Sequence, residues 1–203
     1  MTTLELDKPS QANRAALLKQ ATHEAHESLD KRIMQSDPFA DRARYGLFLQ
    51  AQYLFHREID ALYGEASLLG LLPDLAERRR LGQIEQDLAD LGLAAPAAVA
   101  APVFDAREEV DLPAALGWLY VAEGSNLGAA FLLKEAAKLG LSETFGARHL
   151  AAHPQGRGLH WRTFTAALDS VSLSADDEAR AIAGAKEAFA RVRDTVERLL
   201  PLP

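Results

Sequence analysis

Apolar residues recur at helical spacing along almost the whole chain, and no sustained stretch shows the period of two that is typical of a strand. The first helical stripe runs from about Ser10 to Met34. Asp37 is interpreted as a cap, and Pro38 follows it at the first helical position. This pair predicts a second helix that continues towards Leu69. The pattern therefore predicts an all-α protein.

Further helices are predicted along the rest of the chain, and three of the four are opened by proline or a capping residue. They cover about residues 73–91, 111–139, 159–171 and 174–200. The segment Leu93 to Phe104 is the most loop-like part, and we interpret it as a connection within one domain. We found no internal repeat. The prediction is a single-domain helical bundle over residues 1–203, in which residues 1–9 are expected to be disordered.

Composition excludes several kinds of site. The chain has 203 residues, of which 48% are apolar and 25% charged, as expected for a folded globular protein. It contains no cysteine, which excludes disulfides, zinc–thiolate sites, iron–sulfur clusters and cysteine nucleophiles. No secretion signal and no membrane span are recognisable, so we expect a cytoplasmic protein without a membrane partner.

The net charge of −7 does not favour a nucleic-acid partner, because such proteins usually present a basic face. The short run from Glu77 to Arg80 is interpreted as a solvated helix face.

The segment from Gly117 to Phe131 combines a helical pattern with residues that disfavour helices. Three glycines, a serine and an asparagine together cost on the order of 3–4 kcal/mol of helix stability. Gly124 and Gly128 are four residues apart and share a face. That face is either a notch for a neighbouring helix or a binding surface for a planar ligand, with Ser125 and Asn126 facing a cavity. Spacing alone does not decide between the two.

His26 lies on the apolar face of the first predicted helix. A lone histidine in such a position is more often a hydrogen-bonded core residue than a ligand. Asp30 follows one turn later, so its carboxylate can reach one nitrogen of the imidazole, as in many metal-binding histidines. The pair makes His26 a candidate metal ligand.

Several blocks of this sequence resemble the haem-degrading oxygenases of Gram-negative bacteria. The resemblance extends from about Ala16 to Leu200. The blocks that carry it are Ala25-His26-Glu27, Leu29-Asp30, Pro38-Phe39, the residues Tyr45, Phe48, Gln52, Tyr53, Phe55 and His56, the stretch Gly117–Lys134, Phe145–Leu150 and Gly156–Trp161.

The resemblance implies a haem oxygenase in which haem b is both substrate and cofactor. His26 would bind the iron from a proximal helix, and a kinked distal helix would cross the other face at Gly124 and Gly128. Ser125 and Asn126 would border the haem on that side. With O2 and electrons from an external reductant, such an enzyme converts haem to biliverdin, carbon monoxide and ferrous iron.

Further positions acquire candidate roles from the same resemblance. Gln52, with His56 as a second candidate, would anchor a water network, although ordinary interhelical hydrogen bonding explains both residues equally well. Lys19 and Tyr120 would hold a haem propionate and favour biliverdin IXα; otherwise they are a surface lysine and a core aromatic. Phe189 on the last helix would line the pocket.

The electron donor would be a ferredoxin or a flavin reductase, and the protein is expected to be a monomer. The reaction would serve iron acquisition or supply a bilin chromophore, for example to a phytochrome. The main alternative is a non-catalytic haem carrier or store, which would need a second strong axial side chain. A small-molecule hydrolase of the same architecture is the other alternative, and the lack of cysteine weighs against it.

Overall fold

The computed structural model describes residues 13–98 and 100–203, and within them it is helical, with no strand. The α-helices of this part of the chain are α1 (Arg14–Gln35), α2 (Arg42–Ile59), α3 (Ala66–Leu69), α4 (Leu81–Asp90), α5 (Leu112–Lys138), α6 (Arg157–Ser170) and α7 (Ala175–Leu199). The predicted all-α class is therefore confirmed. The expected disorder of residues 1–9 lies outside the described residues.

The predicted starts of the two longest helices in this part of the chain are confirmed. Asp111 caps α5 by accepting a hydrogen bond from the amide of Ala114, and proline occupies the first turn. Ser174 caps α7 in a reciprocal arrangement with Asp177, whose carboxylate accepts from the Ser174 amide. These short-range capping bonds satisfy amides that have no partner within the helix.

The predicted second helix is wrong in its extent. Asp37 has a φ of 47°, a left-handed conformation that an N-cap residue does not adopt, and the helix begins at Arg42 after the cap Asp41. It ends at Ile59, where a 3₁₀ segment and the short α3 replace the predicted continuation. The helix predicted from residue 73 is likewise a 3₁₀ turn at 75–78, followed by α4 from Leu81.

Helix α5 passes through the centre of the bundle and crosses α7 at very short distance. A Cβ atom added to Gly117 would lie 2.0 Å from the carbonyl oxygen of Ala181. One added to Gly184 on α7 would lie 2.5 Å from the carbonyl oxygen of Ala114. The two backbones can approach this closely only because both positions lack a side chain.

Helix α1, which carries His26, is fixed to the bundle by the buried guanidinium of Arg14. This group donates to the backbone oxygens of Leu168 and Val171, at the end of α6, and to the carboxylate of Glu178 in α7. It is 2% exposed, so the bonds are largely shielded from water.

No helix among the described residues combines the length and the apolar character needed to cross a bilayer.

Candidate functional site

A cavity of about 610 Å³ opens between α1, α2, α5 and α7. Its size falls in the range of small-molecule sites, and most of its wall is apolar. Every candidate site residue of the sequence lines it: Lys19, His26, Asp30, Gln52, His56, Tyr120, Gly124, Ser125, Asn126, Gly128 and Phe189. The fold thus brings together residues that are up to 170 positions apart, from Lys19 to Phe189.

His26 projects into the cavity from α1 with its side chain 58% exposed. Its Nδ1 lies 3.2 Å from a carboxylate oxygen of Asp30, as the i, i+4 spacing predicted. The edge of the ring contacts Phe189 on α7, with 5.9 Å between the ring centroids. Asp30 and Phe189 therefore orient the imidazole and leave Nε2 free to bind an iron atom.

The opposite wall is the part of α5 that contains Gly124 and Gly128. A Cβ at Gly128 would meet nothing within 4 Å, and one at Gly124 would make only ordinary contact with Trp161, at 3.6 Å. Neither glycine is needed for helix packing, so the notch interpretation does not apply to them. The hydroxyl of Ser125 donates to the carbonyl of Ala122, a bond that tends to bend a helix.

Lys19 and Tyr120 line the cavity from α1 and α5. Lys19 is exposed, whereas Tyr120 is 9% exposed and packs against Trp161, with 5.6 Å between the ring centroids. Burial raises the pKa of Tyr120, so its hydroxyl keeps its proton at neutral pH and can donate a hydrogen bond.

The polar part of the cavity wall combines residues that the sequence predicted with residues that it did not. Gln52 and His56 come from α2, and Arg80 and His149 join them from other parts of the chain. His56 Nδ1, Arg80 Nε and His149 Nε2 are all buried without a hydrogen-bond partner among the described residues. Buried polar atoms are normally paired, which makes His56 Nδ1 and His149 Nε2 natural partners for bound water.

Burial keeps both imidazoles of this wall neutral. It lowers the pKa of His56 to about 3, and repulsion between His56 and the neighbouring basic groups of His149 and Arg80 adds to the effect. Burial also lowers the pKa of His149, although the carboxylate of Asp87 opposes it. His149 Nδ1 lies 2.8 Å from that carboxylate, so Nδ1 carries the proton and Nε2 is an acceptor.

The run from Glu77 to Arg80 is not the solvated helix face that the sequence suggested. Arg78 is 2% exposed and pairs with Glu123 on α5 at 2.9 Å. Arg80 is half-buried and donates to the carbonyl of His149. The sequence offered only the i, i+4 spacing from Asp74 as a signal, because the second carboxylate partner of Arg78, Glu123, lies 45 positions away.

Among residues 13–98 and 100–203, no three histidine, aspartate or glutamate side chains are grouped as ligands for a metal ion. In that part of the chain, His26 with Asp30 is the candidate iron-binding position that the sequence singled out.

Comparisons with known proteins agree on one family. The sequence model of the family described as heme oxygenase matches residues 12–198. The chain is 43% identical to heme oxygenase PigA of Pseudomonas aeruginosa over 199 residues, which cover 98% of each protein. It is also similar to the crystal structure of the NO- and CO-bound heme oxygenase from Neisseria meningitidis, with a TM-score of 0.86 and 41% identity. That match covers 94% of this chain and 93% of the other.

Proposed function

The chain belongs to the haem oxygenase family, and from this premise we propose that it opens haem b at the α-meso carbon while His26 holds the iron. Membership makes the protein an oxidoreductase that degrades haem with oxygen, so the alternative of a non-catalytic carrier is not retained. The regiochemistry, the electron donor and the roles of individual residues are the proposal.

One observation carries it: a cavity of about 610 Å³ has an imidazole on one wall and two glycines on the other. A flat macrocycle needs a strong ligand on one face and close backbone approach on the opposite face. His26 supplies the first, and Gly124 and Gly128, which have no side chains, permit the second. Exposed apolar side chains at the cavity, including Met34, Leu127 and Phe131, would be covered by the bound ring.

Asp30 sets the chemistry of the iron ligand. Its carboxylate, 3.2 Å from His26 Nδ1, fixes the tautomer that carries the proton on Nδ1. The lone pair of Nε2 is then available to the metal, and the carboxylate holds the ring in the orientation that presents it. Haem, when bound, supplies the iron at which oxygen is reduced and the ring that is opened.

The opposite wall controls access of protons. Glycine backbone at Gly124 and Gly128 places no acidic or basic side chain directly over the iron position, where one would favour peroxidase-like chemistry. Gln52, His56 and His149 are neutral groups that would hold water at the cavity wall. That water would deliver the proton that the reaction consumes.

Lys19 and Tyr120 would fix the in-plane rotation of the ring. An ammonium group on α1 and a phenol on α5 are suited to hold one propionate, because a carboxylate accepts bonds from both. Holding it there would bring the α-meso carbon to the oxygen and give biliverdin IXα.

A ferredoxin or a flavin reductase would supply the electrons. Carbon monoxide, ferrous iron and the bilin would be released. The iron would serve iron acquisition, or the bilin would supply the chromophore of a phytochrome. The expected cytoplasmic location and monomeric state stay predictions.

The test is a haem titration of the full chain, followed by addition of ascorbate in air with catalase present. We expect loss of the Soret band, growth of a broad red bilin absorption, and a single biliverdin IXα peak on chromatography. Ring opening at the β or δ position would refute the assigned propionate contacts. A complex that survives reductant and oxygen would refute turnover with a chemical donor.

A further inference from the structure

A second, much smaller cavity adjoins the haem cavity and shares part of its wall. Its volume is about 10 Å³, which is enough space for one water molecule or an ion of similar size. Arg80, Asn126, Leu127 and Trp161 line both cavities. The basic side chains Arg78, Arg157, His153 and His160 complete its polar lining, together with Glu123.

The charge of Arg78 is compensated within the protein. Its guanidinium pairs with Asp74 at 2.7 Å and with Glu123 at 2.9 Å. Tyr63 also approaches Glu123, at 3.4 Å. Both carboxylates near the cavity are therefore engaged by the same arginine.

The charges of Arg80 and Arg157 are not compensated in this way. Within the described residues, neither guanidinium has a carboxylate within 4.0 Å, and both donate to uncharged oxygens: Arg80 to Gln83 and His149, Arg157 to Asn126 and Leu150. The Nε atom of Arg80 is buried with no partner among those residues. Glu143 acts on Arg157 only through a longer-range attraction, so the three guanidinium groups have two carboxylates in direct contact, and both of these bind Arg78.

His160 adds a neutral donor to the same cavity. Its side chain is nine-tenths buried and makes no hydrogen bond within the described part of the chain; its nearest carboxylate, Asp74, is 3.8 Å away. The ring stacks on His153 at 4.3 Å. Burial, followed by the positive charge of Arg78, lowers the pKa of His160 to about 4, so the imidazole is neutral at pH 7 and has one N–H to donate.

We propose that this cavity binds one small monovalent inorganic anion of chloride size, held by the guanidinium groups of Arg80 and Arg157 and by the imidazole of His160. Arg80 and Arg157 are both partly buried, and a cation is costly to bury without an anion in contact; a bound anion reduces that cost and pairs the orphan Nε of Arg80. Water would fill the volume but would not neutralise their charge.

Binding there would stabilise the distal wall of the haem cavity. Arg157 donates to the backbone oxygen of Asn126 at 3.0 Å, and Asn126 lines both cavities. An anion that fixes the Arg157 side chain therefore also fixes this part of α5. The anion site would exist in the haem-free chain, so its failure would not bear on haem degradation.

Crystals of the haem-free full chain grown in bromide test the site directly. We expect an anomalous peak between Arg80, Arg157 and His160. Water-like density at that place, or bromide peaks only elsewhere, would overturn the proposal.

Thermal unfolding of the haem-free chain in sodium chloride and in sodium gluconate, at equal ionic strength, tests it in solution. We expect chloride to raise Tm saturably, by about 2 °C or more, because it binds the folded state. Arg157→Gln should abolish the rise, whereas Arg107→Gln, an exposed arginine paired with Asp105, should keep it. Should the glutamine variant not fold, Arg157→Lys should shift half-saturation to at least about threefold more chloride. An unchanged chloride response in the Arg157 variant would refute the assignment.

Discussion

His26 combines two properties that are rarely found in a core residue: it lies on the cavity side of α1, and it is 58% exposed there. A histidine that served packing would be buried by its neighbours. Here Asp30 and Phe189 hold the ring at its edge while the rest faces the cavity. His23 is 62% exposed at the same cavity, so it is the contact with Phe189, together with Asp30, that distinguishes His26 as the candidate ligand.

His26→Ala should therefore leave the fold intact and remove the iron ligand. We expect the free energy of unfolding to change by less than about 0.5 kcal/mol, because the side chain is largely exposed. Haem affinity should fall at least about tenfold, and added imidazole should restore the Soret spectrum. His23→Ala removes the other exposed imidazole that lines the same cavity, three residues earlier, and should retain wild-type spectra. Equal loss in both variants would contradict a specific ligand.

Lys19 and Tyr120 are predicted to determine which meso carbon is attacked. Lys19→Gln combined with Tyr120→Phe removes both donors, so the ring should rotate more freely and the share of β and δ biliverdin should rise at least about fivefold, equivalent to ~1 kcal/mol. Chromatography of the extracted bilins measures this. Lys138→Gln, which removes a lysine paired with Glu135 at the end of α5, should not change the isomer ratio. An unaltered ratio in the double variant would show that other groups orient the ring.

At the scale of the element, α5 contains glycines with two different purposes. Gly117 faces the backbone of α7, whereas Gly124 and Gly128 face the cavity. The sequence shows only that all three lower helix stability. Their surroundings show that the first permits helix crossing and the others permit ligand approach.

Gly117→Ala should destabilise the fold strongly. The new methyl group would lie 2.0 Å from the oxygen of Ala181 and 2.7 Å from the nitrogen of Ala185, and backbone atoms cannot move aside cheaply. We expect a loss of about 2 kcal/mol or more in urea unfolding. Gly82→Ala in α4, where a Cβ meets nothing within 4 Å, is the control and should not destabilise. Similar stabilities for the two variants would disprove the close α5–α7 crossing.

Gly128→Ala should have the opposite effect on stability and impair function. Nothing lies within 4 Å of the new methyl group, so the higher helix propensity of alanine should add about 0.5–1 kcal/mol to the free energy of unfolding. The methyl group should obstruct haem and lower turnover at least about tenfold. Urea unfolding and the ascorbate assay measure the two effects. A variant that is more stable and equally active would show that this glycine does not face the substrate.

At the scale of the whole molecule, buried neutral histidines make the fold sensitive to acid. The pKa of His56 is about 3 in the folded protein, against 6.5 as its ordinary value. Between these values the unfolded chain binds more protons than the folded one, so the free energy of unfolding falls as the pH drops below 6.5. At pH 5 the contribution of His56 alone is a loss of about 2 kcal/mol relative to pH 7.5.

His56→Gln should reduce that loss by a similar amount, because glutamine does not titrate. Urea unfolding at pH 7.5 and pH 5 gives the difference for each variant. His23→Gln, the same substitution at a side chain that is 62% exposed, is the matched control. Parallel pH profiles for the wild type and His56→Gln would show that His56 is not held neutral by burial.

The start of a helix could be predicted where a single local capping signal was present. The prediction was wrong where two such signals competed. Caps at Asp111 and Ser174 act within three residues of the helix start, so the sequence located both helices. Asp37 and Pro38 offered the same kind of signal, but the left-handed backbone at Asp37 moved the start of α2 to Arg42. Two competing caps four residues apart cannot be ranked without the tertiary contacts that select one of them.

The sequence by itself determined the helical class, the His26–Asp30 pair and part of the set of residues that face the cavity, because each depends on the 3.6-residue period or on recognisable local blocks. Only the tertiary structure decided which side chains from distant parts of the sequence pair with one another. His149 meets Asp87 across 62 positions, and Arg78 meets Glu123 across 45. Such pairings depend on how the helices pack, and the low dielectric of the interior then shifts the pKa values that one-dimensional spacing cannot show.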